Sequence, residues 1–250
     1  MSSLAASDLS YPLPALPSVP EDLDSIDSRK ALPYVMAFMK NTLIRALNNI
    51  YRAAPLLATD GANIRAFLEY VRCVCTLLRV HLEGDHLFFT STAHGLPLTT
   101  TVGPACNPDD LSIHDSLTQL NATLTTWSQD PAVLYSADAL RQALAFGPHL
   151  VNCMQTQLAA LSFDSLSSAI SDKDLREMIR DNVEWFASNS DTSFLLPFVI
   201  SHHDSNTSPH WPTIHEQGLK ALPTLMREHA GCWQFAPIDP MTKQANSWVH

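Results

Sequence analysis

Glycine is scarce in this chain: 7 of 250 residues, about 3% against a usual ~7%. Little is left for a glycine-rich phosphate loop, and neither GxGxxG nor GxxxxGK[ST] occurs. Nucleotide-dependent chemistry is largely excluded. Basic charge is also short. Lys plus Arg total 15 against 25 Asp plus Glu, a net charge of −10, and no Lys/Arg cluster is present. Nucleic acid and anionic membrane surfaces are poor partners for such a chain. No apolar run approaches the roughly 18 residues of a spanning helix. The opening MSSLAASDLSYPLP lacks the basic segment and apolar stretch of a signal peptide. The 5 cysteines are odd in number and show no disulfide framework. A cytoplasmic protein with free thiols is expected.

What is present is apolar. Hydrophobic residues make up 46% and charged residues 16%, enough to bury a core and too apolar for disorder. Residues 1–30, with Pro12, Pro14, Pro17 and Pro20 and then EDLDS, read as an extended, exposed Pro/acidic lead-in. Helical periodicity follows. Met36, Leu43, Leu47 and Ile50 mark a helix over 31–53; Leu68, Val71, Cys75, Leu78 and Phe89 mark another over 62–89. Turn residues over 91–108 predict a loop. Asp109 or Asp110 would cap a third helix running to about Trp127. A fourth is expected from Ala137 to Leu161, a fifth over 172–187, and one more near 215–229. The fold class is all-α: a four-helix bundle over 31–165, with additional C-terminal helices and an irregular tail over 166–250 packed on it as one domain.

The informative residues are polar ones that interrupt the apolar stripes. Lys40 lies one turn after Met36 and one turn before Ile44. His81 and Asp85 continue the stripe of Leu78 and Phe89. Asp110 and His114 align with Leu117, and Cys153 and Gln157 lie between Leu150 and Leu161. Burying such groups costs several kcal/mol unless they pair with one another, a metal or a ligand. Other residues carry less. His202, His203, Asp204, His210 and His215 have irregular spacing and read as a structural loop; Trp211, Trp233 and Phe235 read as packing anchors. Cys73 and Cys75 point apart, and Cys106 and Cys232 show no pattern.

Four segments together resemble the hemerythrin-like (HHE cation-binding) family, in its filamentous-fungal form, over roughly residues 30–240. They are KNTLIRALNNIYRAAP, HLEGDHLFFT, DLSIHDSL and FGPHLVNCMQTQLAAL, with LPFVISHHD and HAGCWQFAPID resembling the closing segments. The resemblance implies a bundle that holds two irons between His and carboxylate ligands. At the matching positions this chain has Lys40, His81, Asp85, Asp110, His114, Cys153 and Gln157. An ammonium at Lys40 would repel a metal, and Gln157 cannot bridge two cations as a carboxylate does. No cofactor is expected on this reading. The alternative is a single Fe or Zn ion on His81, Asp85, Asp110 and His114, although an ion pair of Lys40 with Asp85 or Asp110 is simpler.

The function this implies is that of a metal-independent enzyme of the cyclase or isomerase type. It would act on a mostly apolar small molecule, of the kind found in fungal secondary metabolism, inside the vacated bundle. Lys40 and His81 would be hydrogen-bond or acid groups, Asp85 and Asp110 would orient them, and His114 would be the base. A pericyclic closure of the Diels–Alder type is one form of the reaction. Cys153, Gln157, Met36, Leu78 and Phe89 would line the substrate. An iron- or zinc-binding protein and a non-catalytic binding protein with a relic polar core are the competing readings. Oligomeric state is left open.

Overall fold

The computed structural model describes residues 11–17, 22–57, 61–93, 95, 97–103, 111–205, 208–209 and 214–246. Among these the chain is helical, and its only β feature is an isolated bridge between Ile238 and Ala245. The helices are α1 (Ser28–Ala53), α2 (Gly61–Thr90), α3 (Thr99–Val102), α4 (Leu111–Trp127), α5 (Pro131–Leu134), α6 (Ala137–Ala143), α7 (Gly147–Ala160), α8 (Phe163–Ala169), α9 (Asp172–Asn189), α10 (Thr192–His202) and α11 (Glu216–Leu225). None of these is long and apolar enough to cross a membrane.

Local chemistry explains the boundaries. The Asp27 side chain accepts from Arg29 N and starts α1 a turn earlier than the periodicity suggests. The expected fourth helix is two. Pro148 has no N–H for the carbonyl of Leu144, so the chain tightens into a 3-10 turn over Leu144–Phe146 before α7 begins. The Tyr11 hydroxyl donates to that carbonyl at 3.1 Å. A Cβ at 147 would lie 2.4 Å from the Tyr11 hydroxyl, so any larger residue there would push the ring aside.

The segment read as an exposed lead-in is partly buried. Leu13 and Leu16 are 3% and 4% exposed. The side-chain amides of Asn48 and Asn41, two turns apart on α1, each donate to and accept from the backbone of one of these leucines. An extended strip whose prolines cannot join a helix is thus satisfied by side chains instead.

Two further helices depart from the expected outline. The Ser/Asp-rich joint before 172 holds α8, whose cap is Ser162 accepting from Ser165 N. The stretch after Ser190, read as irregular, begins with α10, capped by Asp191. Its sequence TSFLLPFVISH shows no period because Phe194, Pro197, Phe198, Ile200, Ser201 and His202 bury it on several sides.

Helix α1 packs against α2 and α7, α2 against α4, and α4 against α6, so these helices surround a common interior. Helix α9 lies along α2 and α1, while α10 packs against α1, α9 and α11. Among the described residues two apolar clusters dominate, with a small third around Leu23 and Ala31. The larger takes Leu43, Leu47, Leu78, Leu82, Leu150 and Met154 with residues of α4, α10 and the tail. The smaller takes Leu32, Met36, Phe88, Phe89 and Leu161 with residues of α8 and α9. On α1, α2 and α7 the seam between the clusters falls at the same level, and it is polar.

Candidate functional site

That seam is built by helical spacing. Between Met36 and Leu43 stands Lys40, between Leu78 and Phe89 stand His81 and Asp85, and between Met154 and Leu161 stands Gln157. Lys40 is 0% exposed. Its Nζ donates to Asp85 Oδ2 and lies 3.2 Å from His81 Nε2, and His81 Nε2 is 3.7 Å from Asp85 Oδ2. Gln157 hydrogen-bonds the Asp85 carboxylate.

The electrostatics follow from burial and charge order. Burial pushes the His81 imidazole down to about 4; Asp85 opposes this and Lys40 adds to it. His81 is therefore neutral near pH 7. With Nε2 accepting from the Lys40 ammonium, its proton sits on Nδ1. Burial works against a charge on Asp85, but Lys40, His81 and the Gln157 hydrogen bond outweigh it and hold the carboxyl below the usual range.

A cavity of about 300 Å³ opens beside this group. Helix α1 supplies Leu32, Val35, Met36, Phe38 and Met39, and α2 supplies His81, Gly84, Asp85 and Phe88. The opposite wall is Ile179, Asn182, Val183, Phe186 and Ala187 of α9 with Thr192, Leu195, Leu196 and Val199 of α10, and Ile214. Val183, Ala187 and Thr192 are solvent-exposed and mark the mouth. Gly84 lets α9 approach: a Cβ there would meet the Trp185 ring at 3.0 Å, and Asn182 Nδ2 donates to the Gly84 carbonyl at 2.8 Å. The His81 ring stands edge-on to Phe186, centroids 5.9 Å apart. The cavity is apolar except for His81, Asp85, Asn182 and Thr192, as small-molecule pockets commonly are.

The structure brings together Lys40, His81, Asp85 and Gln157, and places Met36 in the cavity wall. Lys40 does not line the cavity but stands behind His81 and Asp85. Other expected site residues lie elsewhere. Asp110 lies outside the described residues. His114 is half-buried on α4, away from the cavity lining. Leu78 and Phe89 are fully buried, one in each of the two main apolar clusters, and Phe88 rather than Phe89 faces the cavity. Cys153 is half-buried a turn before Gln157, with Sγ 3.8 Å from His149 Nε2. The walls from α9 and α10 were not anticipated. For α9 the sequence signal is the stripe Ile179, Asn182 and Phe186.

A metal at His81 and Asp85 does not fit these residues. Lys40 Nζ already occupies the point on which His81 Nε2 and Asp85 Oδ2 converge. An ion there would have to displace the fully buried Lys40 Nζ from both partners.

No family model, no curated protein and no solved structure matches this chain.

A second buried polar group is structural. Tyr70 Oη and His202 Nε2 are 2.6 Å apart, and His202 Nδ1 is 2.9 Å from the Phe198 carbonyl. Burial pushes His202 down to about 3 and raises the Tyr70 phenol. One neutral tautomer of His202, donating from Nδ1 and accepting at Nε2, satisfies both contacts. His202 therefore belongs to a buried helix rather than to the loop expected for it.

Proposed function

We propose that the cavity between α1, α2, α9 and α10 binds a mostly apolar small molecule and that His81 and Asp85 act on it. The observation that carries this is the placement of a neutral imidazole and an ionised carboxylate in the wall of a mostly apolar, solvent-reachable cavity. Proton transfer is the chemistry available to them. The Asp85 carboxylate would take an activated proton while the Nδ1–H of His81 hydrogen-bonds a carbonyl of the same molecule, and protonated Asp85 would return the proton at another carbon. Apolar walls would restrict a flexible chain and favour ring closure. The reaction class is isomerisation or cyclisation, which a pericyclic closure would also satisfy. Lys40 is a positioning residue that keeps Asp85 ionised and fixes the His81 tautomer.

The same reading takes the fold to be a hemerythrin-like four-helix bundle that has exchanged its metal for Lys40. Two observations support it: α1, α2, α4, α6 and α7 share one apolar cluster, and Lys40, His81, Asp85 and Gln157 converge at one level of α1, α2 and α7.

The test starts with 1-aminoanthracene, a rigid apolar amine whose fluorescence rises on entering a dry cavity. Wild-type protein is expected to bind it, and Ala187→Trp, which blocks the mouth, to lose it. Apolar metabolite fractions that displace the dye are then incubated with the protein and searched for a product of unchanged mass. Asp85→Asn is expected to bind the displacing compound and leave it unconverted. Absence of dye binding, or equal conversion by folded Asp85→Asn, would overturn the proposal.

A further inference from the structure

Away from this cavity, toward the other end of α2, a different set of groups converges. Glu69 and Cys73 are one turn apart on the same face of α2, and His229 reaches them from the turn that follows α11. Cys73 Sγ is 3.6 Å from Glu69 Oε1 and 3.8 Å from His229 Nδ1, and His229 Nδ1 is 3.6 Å from Glu69 Oε1. A tetrahedral zinc with ordinary bond lengths would separate sulfur from nitrogen or oxygen by about 3.5 Å, and nitrogen from oxygen by about 3.3 Å. The three atoms thus stand within about 0.3 Å of the edges of one zinc tetrahedron face.

The surroundings hold these atoms in place. His229 Nε2 is 2.8 Å from Asp191 Oδ2, the carboxylate that caps α10. With its N–H on Nε2 donating to Asp191, His229 would turn the Nδ1 lone pair toward Cys73 and Glu69. A carboxylate behind a histidine in this manner fixes the tautomer that a metal needs. Arg72 pairs with Glu69 Oε2, the oxygen turned away from Cys73, and so leaves Oε1 in the cluster. The Cys73 thiol is also in hydrogen-bonding contact with Cys232. Partial exposure of Glu69 and His229, 33% and 14% of their side chains, gives an ion a way in from solvent.

We propose that Glu69 Oε1, Cys73 Sγ and His229 Nδ1 bind a zinc ion that fastens α2 to the turn after α11. Thiolate, imidazole and carboxylate together select a borderline-soft cation, and three protein ligands leave the fourth position to water. Binding releases the Cys73 thiol proton to solvent and involves no oxidant. Thiolate and carboxylate then balance the ion's two positive charges, and Asp191 and Arg72 offset each other outside.

The test uses the full chain, stripped with a chelator and kept reduced, with zinc or cobalt(II) as the probe. One equivalent of cobalt(II) is expected to give a near-ultraviolet thiolate charge-transfer band together with tetrahedral visible bands. Zinc is expected to bleach both and to raise the thermal midpoint. Cys73→Ser and His229→Gln should abolish these signals, with folding checked by circular dichroism; Glu69→Gln is a milder variant should either fail to fold. Asp191→Asn should weaken binding by about tenfold. Ala187→Trp, which closes the other cavity, should leave cobalt binding unchanged, so failure of one proposal does not mimic failure of the other. A missing charge-transfer band, or binding unaffected by Cys73→Ser, would overturn the site.

Discussion

At one end of α2, His81 and Asp85 face the ammonium of Lys40; toward the other, Glu69 and Cys73 face His229 near the surface. The two clusters are about 12 Å apart along the helix, from the rise between positions 73 and 81. Both combine an acid with an imidazole. In the interior cluster the cation is a side chain, covalently fixed and fully buried, and it occupies the point on which the lone pairs converge. In the outer cluster the nearest guanidinium, Arg72, binds the far oxygen of Glu69. The comparison teaches that identity of ligand-type residues decides less than what stands at their common centre. On the proposed readings, a buried ammonium turns a metal-like arrangement into a proton-transfer site, whereas three ligand atoms that converge with solvent access suit a cation.

The largest effect that would break this comparison is loss of the interior cation. Lys40→Met leaves Asp85 buried without its partner and is expected to cost about 3–5 kcal/mol in urea unfolding. Lys40→Met/Asp85→Leu should recover most of that loss, because both charges are then gone. A neutral single variant would mean that Asp85 does not depend on Lys40.

Next in size is the response to acid. His81 has a folded value of about 4 against 6.5 unperturbed. Between these values the unfolded chain binds a proton that the folded chain refuses, so stability is full above 6.5 and falls as pH drops toward 4. The slope from this one group is at most about 1.4 kcal/mol per pH unit. His202, down to about 3, acts in the same direction. Asp85, held below its ordinary value, contributes stability that is lost at still lower pH. Urea midpoints at pH 7 and pH 5 check the sign; His81→Gln should flatten part of the slope and Cys73→Ser should not. The smallest effect is expected at the outer cluster without metal. There Cys73→Ala should cost less than about 1 kcal/mol, since it removes weak thiol contacts and leaves no charge buried alone.

The sequence made some of this legible and hid the rest for definite reasons. Helices α1, α2, α4 and α9 show because each buries one stripe against neighbours. Helix α10 does not, because burial on several sides erases its period. The break between α6 and α7 was written in Gly147 and Pro148, but an unbroken apolar stripe masked it. Lys40, His81, Asp85 and Gln157 could be picked out because each interrupts an apolar stripe at helical spacing. The cavity beside them could not, since half its wall comes from α9 and α10, about a hundred residues further along the chain. The outer cluster was hidden for the same reason: Cys73 and His229 are 156 positions apart and form no motif.

Anomalous diffraction from crystals grown with zinc and 1-aminoanthracene tests the contrast most directly. The expected result is a zinc peak among Glu69, Cys73 and His229, the dye in the cavity against His81 and Asp85, and Lys40 still hydrogen-bonded to both. A zinc peak between His81 and Asp85, with Lys40 turned away, would contradict it.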